Sequence, residues 1–172
     1  IEAGVDTNND GEIQVSEAEA ELSLNVGFKD ISSMEGIQSF INLEILRCSS
    51  NQLSSLDISQ NVNLHLFACW DNQLSNLNVT QNLSLRHLYC DKNQLSVLDV
   101  SQNLNLEGLA CSENQLTSLD VSQNTNLRGL QCFDNQLTSL YINNGNNHNM
   151  TVMFSTGNIN LSCIQIDDEN AV

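Results

Sequence analysis

At 172 residues the chain has room for one domain, or for one repeat array with a continuous core. Five Lys and Arg stand against 21 Asp and Glu, a formal charge of −16. That balance disfavours nucleic acid and anionic membranes as partners, because both demand clustered positive charge. No apolar run approaches the roughly 18 residues of a membrane span, and the chain opens at Ile1 without a charged-then-apolar leader, so a mature or trimmed form is expected.

The first segment, residues 1–22, carries explicit chemistry. Asp6-Thr7-Asn8-Asn9-Asp10-Gly11-Glu12-Ile13-Gln14-Val15-Ser16-Glu17 fits D-x-N-x-D-G-x-I-x-x-x-E throughout. The stretch resembles an EF-hand or dockerin-type calcium loop. Calcium takes about six to eight oxygens around one point. The resemblance therefore implies one Ca²⁺ held by the side chains of Asp6, Asn8 and Asp10, the carbonyl of Glu12 and both carboxylate oxygens of Glu17. Gln14 would act directly or through a water, Gly11 permits the sharp turn, and Ile13 is expected to point into the apolar core. Ser16 and Glu19 have the spacing of a capping box for a short helix over about 17–22. The alternative is an acidic, Asx-rich turn that binds nothing. Too few residues precede Asp6 for an entering helix and no second loop follows, so a structural site stiffening an amino-terminal cap is expected, not a paired sensor.

Residues 23–142 are repetitive. Cys48, Cys69, Cys90, Cys111 and Cys132 recur every 21 residues, as do Asn51, Asn72, Asn93, Asn114 and Asn135. Around them runs L-x-x-L-x-C-x-x-N-x-L, in copies beginning at Leu43, Leu64, Leu85, Leu106 and Leu127, with Phe67 in the second Leu place of the second copy. The L-x-C alternation is that of a strand with one buried face. The Asn amide can satisfy backbone groups where the chain leaves the strand. A single copy cannot bury its Leu set, whereas stacked copies share one core. The return segments, such as Ser59-Gln60-Asn61, are too short and polar for regular helices, so turns or short 3₁₀ pieces are expected. Leu24, Val26 and Ile31 form a degenerate copy before the array. Val152, Phe154 and Ile159 are read as another after the Asn-rich insertion 143–149, within a carboxy-terminal cap over 143–172 that closes with an edge strand at Leu161-Ser162-Cys163-Ile164.

These copies resemble the short, Cys-containing leucine-rich repeats of bacterial internalin-like surface proteins, over about residues 20–166. The resemblance implies a leucine-rich-repeat horseshoe, a right-handed β-solenoid with a parallel concave sheet. It also implies a secreted or cell-surface, non-catalytic module for protein–protein interaction or adhesion. A polysaccharide-binding domain and a structural spacer of a larger surface protein are the alternatives.

The five repeat cysteines occupy an inward position and are read as buried free thiols. No close C-x₂-C pair suits zinc, and parallel Cα–Cβ vectors do not suit the twisted geometry of a disulfide. No enzyme is expected: the three His share no motif with a nucleophile, and Asp57, Asp99 and Asp120 recur in phase as a solvated flank. If Leu46 and Cys48 point inward, then Arg47, Trp70, His87, Tyr89 and Phe133 project outward on the concave sheet, with Arg86 and Arg128 beside it. Aromatic and Arg side chains on a rigid sheet are typical interface anchors. This face is the expected contact surface for an extracellular protein or polysaccharide, with the chain itself monomeric.

Overall fold

The computed structural model describes residues 4–168. A short helix α1 (Val15–Ala20) leads into β1 (Ser23–Asn25). Then come β2 (Ile45–Arg47), β3 (Leu66–Ala68), β4 (His87–Tyr89), β5 (Gly108–Ala110), β6 (Ser118–Asp120) and β7 (Gly129–Gln131). The chain ends on β8 (Ser139–Tyr141), β9 (Val152–Phe154) and β10 (Cys163–Gln165). A seven-stranded parallel sheet runs β1-β2-β3-β4-β5-β7-β9, one strand per coil, and is the concave sheet. A smaller one runs β10-β8-β6 on the return side of the last coils.

The register is that of the repeat. Leu46 lies opposite Phe67, Phe67 opposite Leu88, Leu88 opposite Leu109 and Leu109 opposite Leu130. These side chains, together with the five repeat cysteines, are almost wholly buried. Full burial of one such aliphatic side chain is worth about 1.5–3 kcal/mol, so the stack dominates the energetics.

Two asparagine ladders hold the coils together. In the first, Asn93 donates through Nδ2 to the carbonyls of Cys69 (3.0 Å) and Cys90 (3.2 Å), and its Oδ1 accepts the Leu74 amide at 3.0 Å. Each ladder residue thus ties its own coil to the previous one. The residue just before each of these asparagines is left-handed: Ser50, Asp71, Lys92, Glu113 and Asp134 have φ between 50° and 59°. Non-glycine residues pay about 1–2 kcal/mol each there, and the coil-to-coil hydrogen bonds offset it. The second ladder is Asn61, Asn82, Asn103 and Asn124 on the return side, each 0% exposed.

Four expectations need correction. The capping box is built from Gln14 and Glu17, not Ser16 and Glu19, and the helix runs Val15–Ala20. It starts early because the Gln14 amide donates to Glu17 Oε2 at 3.1 Å. Ile13 is 42% exposed at the mouth of an apolar cleft, while Val5 and Ala18 plug the core instead. In the last coil Met153, not Val152 or Phe154, lies opposite Leu130, and Ile159 is 93% exposed. Asn158 sets that register by donating to the Cys132 carbonyl at 2.9 Å and accepting the Leu137 amide at 3.1 Å. The residue five before it must then point inward, as Leu46 does before Asn51. The closing strand is β10, Cys163–Gln165, one edge of the small sheet and exposed along its length.

Candidate binding face and amino-terminal loop

The outward positions of the long sheet form three columns. The first runs Ile45, Leu66, His87, Gly108, Gly129 and Val152; the second runs Arg47, Ala68, Tyr89, Ala110, Gln131 and Phe154. The third begins with Ser49 and Trp70 and continues through Asp91, Ser112 and Phe133, as the coil-to-coil amide bonds show. Arg86 and Arg128 stand at the strand entries. Their neighbouring backbone accepts from the next coil: the Gly108 amide donates to the Arg86 carbonyl at 3.0 Å and the Val152 amide to that of Arg128 at 3.2 Å. Arg47, Trp70, His87, Tyr89 and Phe133 are each half-buried on this surface. Ala68, Ala110, Ser49 and Ser112, though in the same columns, are buried. A small side chain between larger ones on strands about 4.8 Å away is shielded.

Two aromatic pairs punctuate the face. His87 and Tyr89 stack with ring centroids 6.2 Å apart and planes 8° from parallel. Trp70 meets the edge of Phe28 at 5.6 Å. Sequence reasoning missed Phe28 because its coil carries an inserted residue. The signal was alignment with Ser50: the Phe28 amide donates to the Ser49 carbonyl at 3.0 Å, and Phe28 shares the left-handed conformation, φ 58°. A bulky residue rarely sits there, and this one is 72% exposed. Charges beside the sheet are partly matched, Arg86 with Glu107 at 3.4 Å and Lys92 with Glu113 at 3.7 Å. Asp91 is pushed up from the usual carboxylate range, first by burial, although it accepts the Ser112 amide at 2.9 Å.

Behind the sheet, burial drives every ladder thiol upward. Cys48 and Cys132 are each raised to about 12, and Cys69, Cys90 and Cys111 are likewise raised. All five are buried and unbridged, whereas Cys163 is exposed.

In the amino-terminal loop, left-handed Asn9 (φ 59°) and Gly11 (φ 93°) turn the backbone so that its amides point inward. The Gly11 amide donates to Asp6 Oδ2 at 3.0 Å, that of Asp10 to Asn8 Oδ1 at 2.9 Å and that of Glu12 to Asp10 Oδ1 at 3.0 Å. Glu17 reaches back from α1, where Oε1 accepts the hydroxyl and the amide of Thr7, each at 2.7 Å. Those bonds, the Thr7 hydroxyl first, hold the Glu17 carboxyl below its ordinary range. Asp10 is lowered too, first by the Glu12 amide and then by the Gln14 side chain. The turn thus links Asp6, Asn8, Asp10, Gln14 and Glu17 by hydrogen bonds within the loop and to α1, and side-chain oxygens are the donors hard cations prefer. Their carboxylates are satisfied by loop donors, and among the described residues no three Asp, Glu, His or Cys side chains meet as a metal cluster. Engaging an ion would exchange contacts such as Gln14 Nε2 to Asp10 Oδ2, at 2.7 Å.

One parallel strand per coil, an Asn at each strand exit and a shared Leu core define this molecule as a leucine-rich-repeat solenoid; the chain is a leucine-rich-repeat protein. The functional domain of InlJ from Listeria monocytogenes, a structure that includes a cysteine ladder, matches it with a TM-score of 0.73 and 33% identity, over 91% of this chain and 41% of that one. A leucine-rich-repeat protein of Leptospira interrogans matches at 0.60 and 32% identity, over 64% of this chain and 30% of that one. An internalin (inlF) from Listeria monocytogenes matches at 0.60 and 18% identity, over 90% and 64%, a likeness of fold alone. The chain therefore spans less than half the length of the first two. No protein-family model and no curated protein matches the sequence. Among the described residues no helix is long and apolar enough to cross a membrane.

Proposed function

We propose that the chain is a non-catalytic, secreted or cell-surface module that binds a partner protein through the outward face of its long sheet. One observation carries this reading. The two aromatic pairs, exposed Phe28 with half-buried Trp70 and half-buried His87 with Tyr89, stand on a parallel sheet whose reverse side is a rigid Leu and Cys stack. Solenoid curvature makes such sheets broad binding surfaces, and desolvated aromatic anchors dominate protein interfaces. The test is capture on intact cells by proximity labelling with the immobilised protein, comparing wild type with Trp70→Ala, Tyr89→Ala, Asp99→Ala and Asp120→Ala. Loss of labelling on the aromatic variants alone supports the reading; loss on the flank variants alone assigns the wrong face.

The amino-terminal loop is proposed to hold one Ca²⁺ through Asp6, Asn8, Asp10, Glu17 and the Glu12 carbonyl. The ion would supply only charge neutralisation and a tie between the loop and α1, which carries Glu17. Binding to the folded form alone stabilises by about 2.7 kcal/mol at about 100 times Kd. Calorimetric heat and a calcium-dependent rise in Tm, both lost in Asp10→Ala, are expected; an unchanged melting curve rejects the site.

A further inference from the structure

The outward side chains of the long sheet change height along the solenoid. On β4 they are His87 and Tyr89; at the aligned positions β5 and β7 carry Gly108 and Gly129; on β9 the next residue in that column is Val152. The first column is thus bare over β5 and β7, between taller residues on β4 and β9, and leaves a trough of about 300 Å³ with Gln131 of β7 along one side. Its walls lie three strand steps apart, about 14 Å between backbones, and less between side chains. A helix about 10–12 Å across does not enter, whereas one large side chain on an extended segment does.

The two glycines are there for different reasons. A Cβ on Gly108 would sit 3.0 Å from His87 Nδ1, so this glycine makes room for the imidazole. A Cβ on Gly129 would meet nothing within 4 Å, and its backbone is not left-handed. Glycine inside a strand weakens it and often marks close approach by a ligand or another backbone. Among the described residues nothing fills the space a Cβ on Gly129 would take.

The chemistry of the trough is also defined. The stacked His87–Tyr89 pair makes one wall, the floor is Gly108, Ala110 and Gly129, and Gln131 borders it, with Glu107 and Thr151 also on the lining. At the rim stands Arg128. The neighbouring cations Arg86 and Lys92 are matched with Glu107 and Glu113, but the Arg128 guanidinium has no ion pair among the described residues. An unmatched cation beside an apolar trough, in a chain of charge −16, is complementary to a carboxylate.

The geometry points to a docking trough for one large apolar side chain of a partner protein, with a carboxylate close to it in the partner's chain meeting Arg128. This rests on the reading of the sheet as a protein-binding face and names the place and the chemistry. The probe is a library of random displayed dodecapeptides selected on the whole chain, with a glycan array run in parallel. The enriched peptides are expected to carry an aromatic or long aliphatic residue within a position or two of Asp or Glu. Their affinity is expected to fall about tenfold or more, roughly 1.4 kcal/mol, on Gly129→Leu, whose Cβ meets nothing within 4 Å and whose side chain enters the trough, and similarly on Arg128→Ala. Gly129→Leu should melt no lower than wild type, since it gives a strand position a side chain. Peptides that bind Gly129→Leu undiminished but are lost on Trp70→Ala overturn the trough and leave the broader reading standing. Peptides indifferent to both substitutions count against both. Glycans bound in a Gly129-dependent way, with no such peptide, overturn the occupant. If nothing selected distinguishes Gly129→Leu from wild type, the site is rejected.

Discussion

Asn82 donates its side-chain Nδ2 to the carbonyl of Asn61, one coil earlier, at 2.9 Å, and both residues are 0% exposed. The same amide donates to Ile58 O at 3.0 Å, while its Oδ1 has no partner among the described residues. This ladder therefore satisfies buried carbonyls of the return turns, coil by coil, and does so only through the donor half of each amide.

Loss of a central rung should be costly. Asn103 donates to the carbonyls of Val79 and Asn82, at 3.0 and 2.9 Å. The two carbonyls also accept the Asn82 and Leu85 amides, at 3.0 and 3.1 Å, so Asn103→Ala would remove one of two bonds from each, at about 0.5–1.5 kcal/mol per bond. A loss of about 1–3 kcal/mol in denaturant unfolding is expected. Asn105→Ala, whose exposed side chain donates to the Leu83 carbonyl at 3.1 Å, should stay within about 0.5 kcal/mol. Equal effects at the two positions would contradict the ladder.

The buried thiols predict alkaline lability. A thiol raised by burial binds its proton more tightly in the folded chain than in the unfolded one. Its contribution to stability is complete below the ordinary value near 9 and is lost as pH rises towards about 12, the value for Cys48 and Cys132. Each such thiol removes about 1.4 kcal/mol per pH unit within that window. The denaturant midpoint should fall steeply above about pH 9 and less steeply in Cys48→Ala. A flat midpoint between pH 8 and pH 10.5 would refute this. Below pH 8 the five thiols should react with a thiol reagent only after unfolding, while Cys163 reacts at once.

At the amino terminus the sign is reversed. Glu17 and Asp10 are lowered by hydrogen bonds, so the stability they lend the cap is present above their ordinary values, near 4.5 and 3.8, and is lost as pH falls through the depressed ones. Thr7→Val removes the hydroxyl donor and should move the Glu17 titration midpoint, followed by carboxyl NMR, up towards its ordinary value. Amide exchange in α1 should speed up at a higher pH in this variant than in wild type. An unmoved midpoint would show that the Thr7 bond does not set it.

The aromatic pairs should be dispensable for folding. Trp70→Ala and Tyr89→Ala remove half-exposed side chains from the outer face and leave the Leu and Cys stack untouched. Neither should lower Tm by more than a degree or two, whereas Leu88→Ala, at the centre of that stack, should cost about 2–5 kcal/mol. A large Tm loss in Trp70→Ala would make the Phe28–Trp70 contact part of the fold rather than of a surface.

Much of the fold was legible without coordinates, because identical copies turn a local pattern into long-range order. Once Leu46, Cys48 and Asn51 recur at 21-residue intervals, the strand register, the inward thiols and the first Asn ladder follow from stacking like on like. The outward columns bearing Trp70 and Tyr89 follow from the same alternation, and Asp6 to Glu17 could be named as one loop from their spacing. Other features depend on neighbours that no local pattern specifies. The sequence places Asn61 and its equivalents in short polar turns, but their burial follows from the carbonyls they bond in the preceding coil. Ser50, Asp71, Lys92, Glu113 and Asp134 hold left-handed backbone without the glycine that would announce it, since hydrogen bonds from adjacent coils pay the strain. In the last coil the Asn-rich insertion broke the period, and pairing with β7 through Asn158 chose Met153 over its neighbours. The trough belongs to this second group: its floor includes two glycines 21 residues apart, and its depth comes from side chains one coil to either side, which only the stacked sheet brings together.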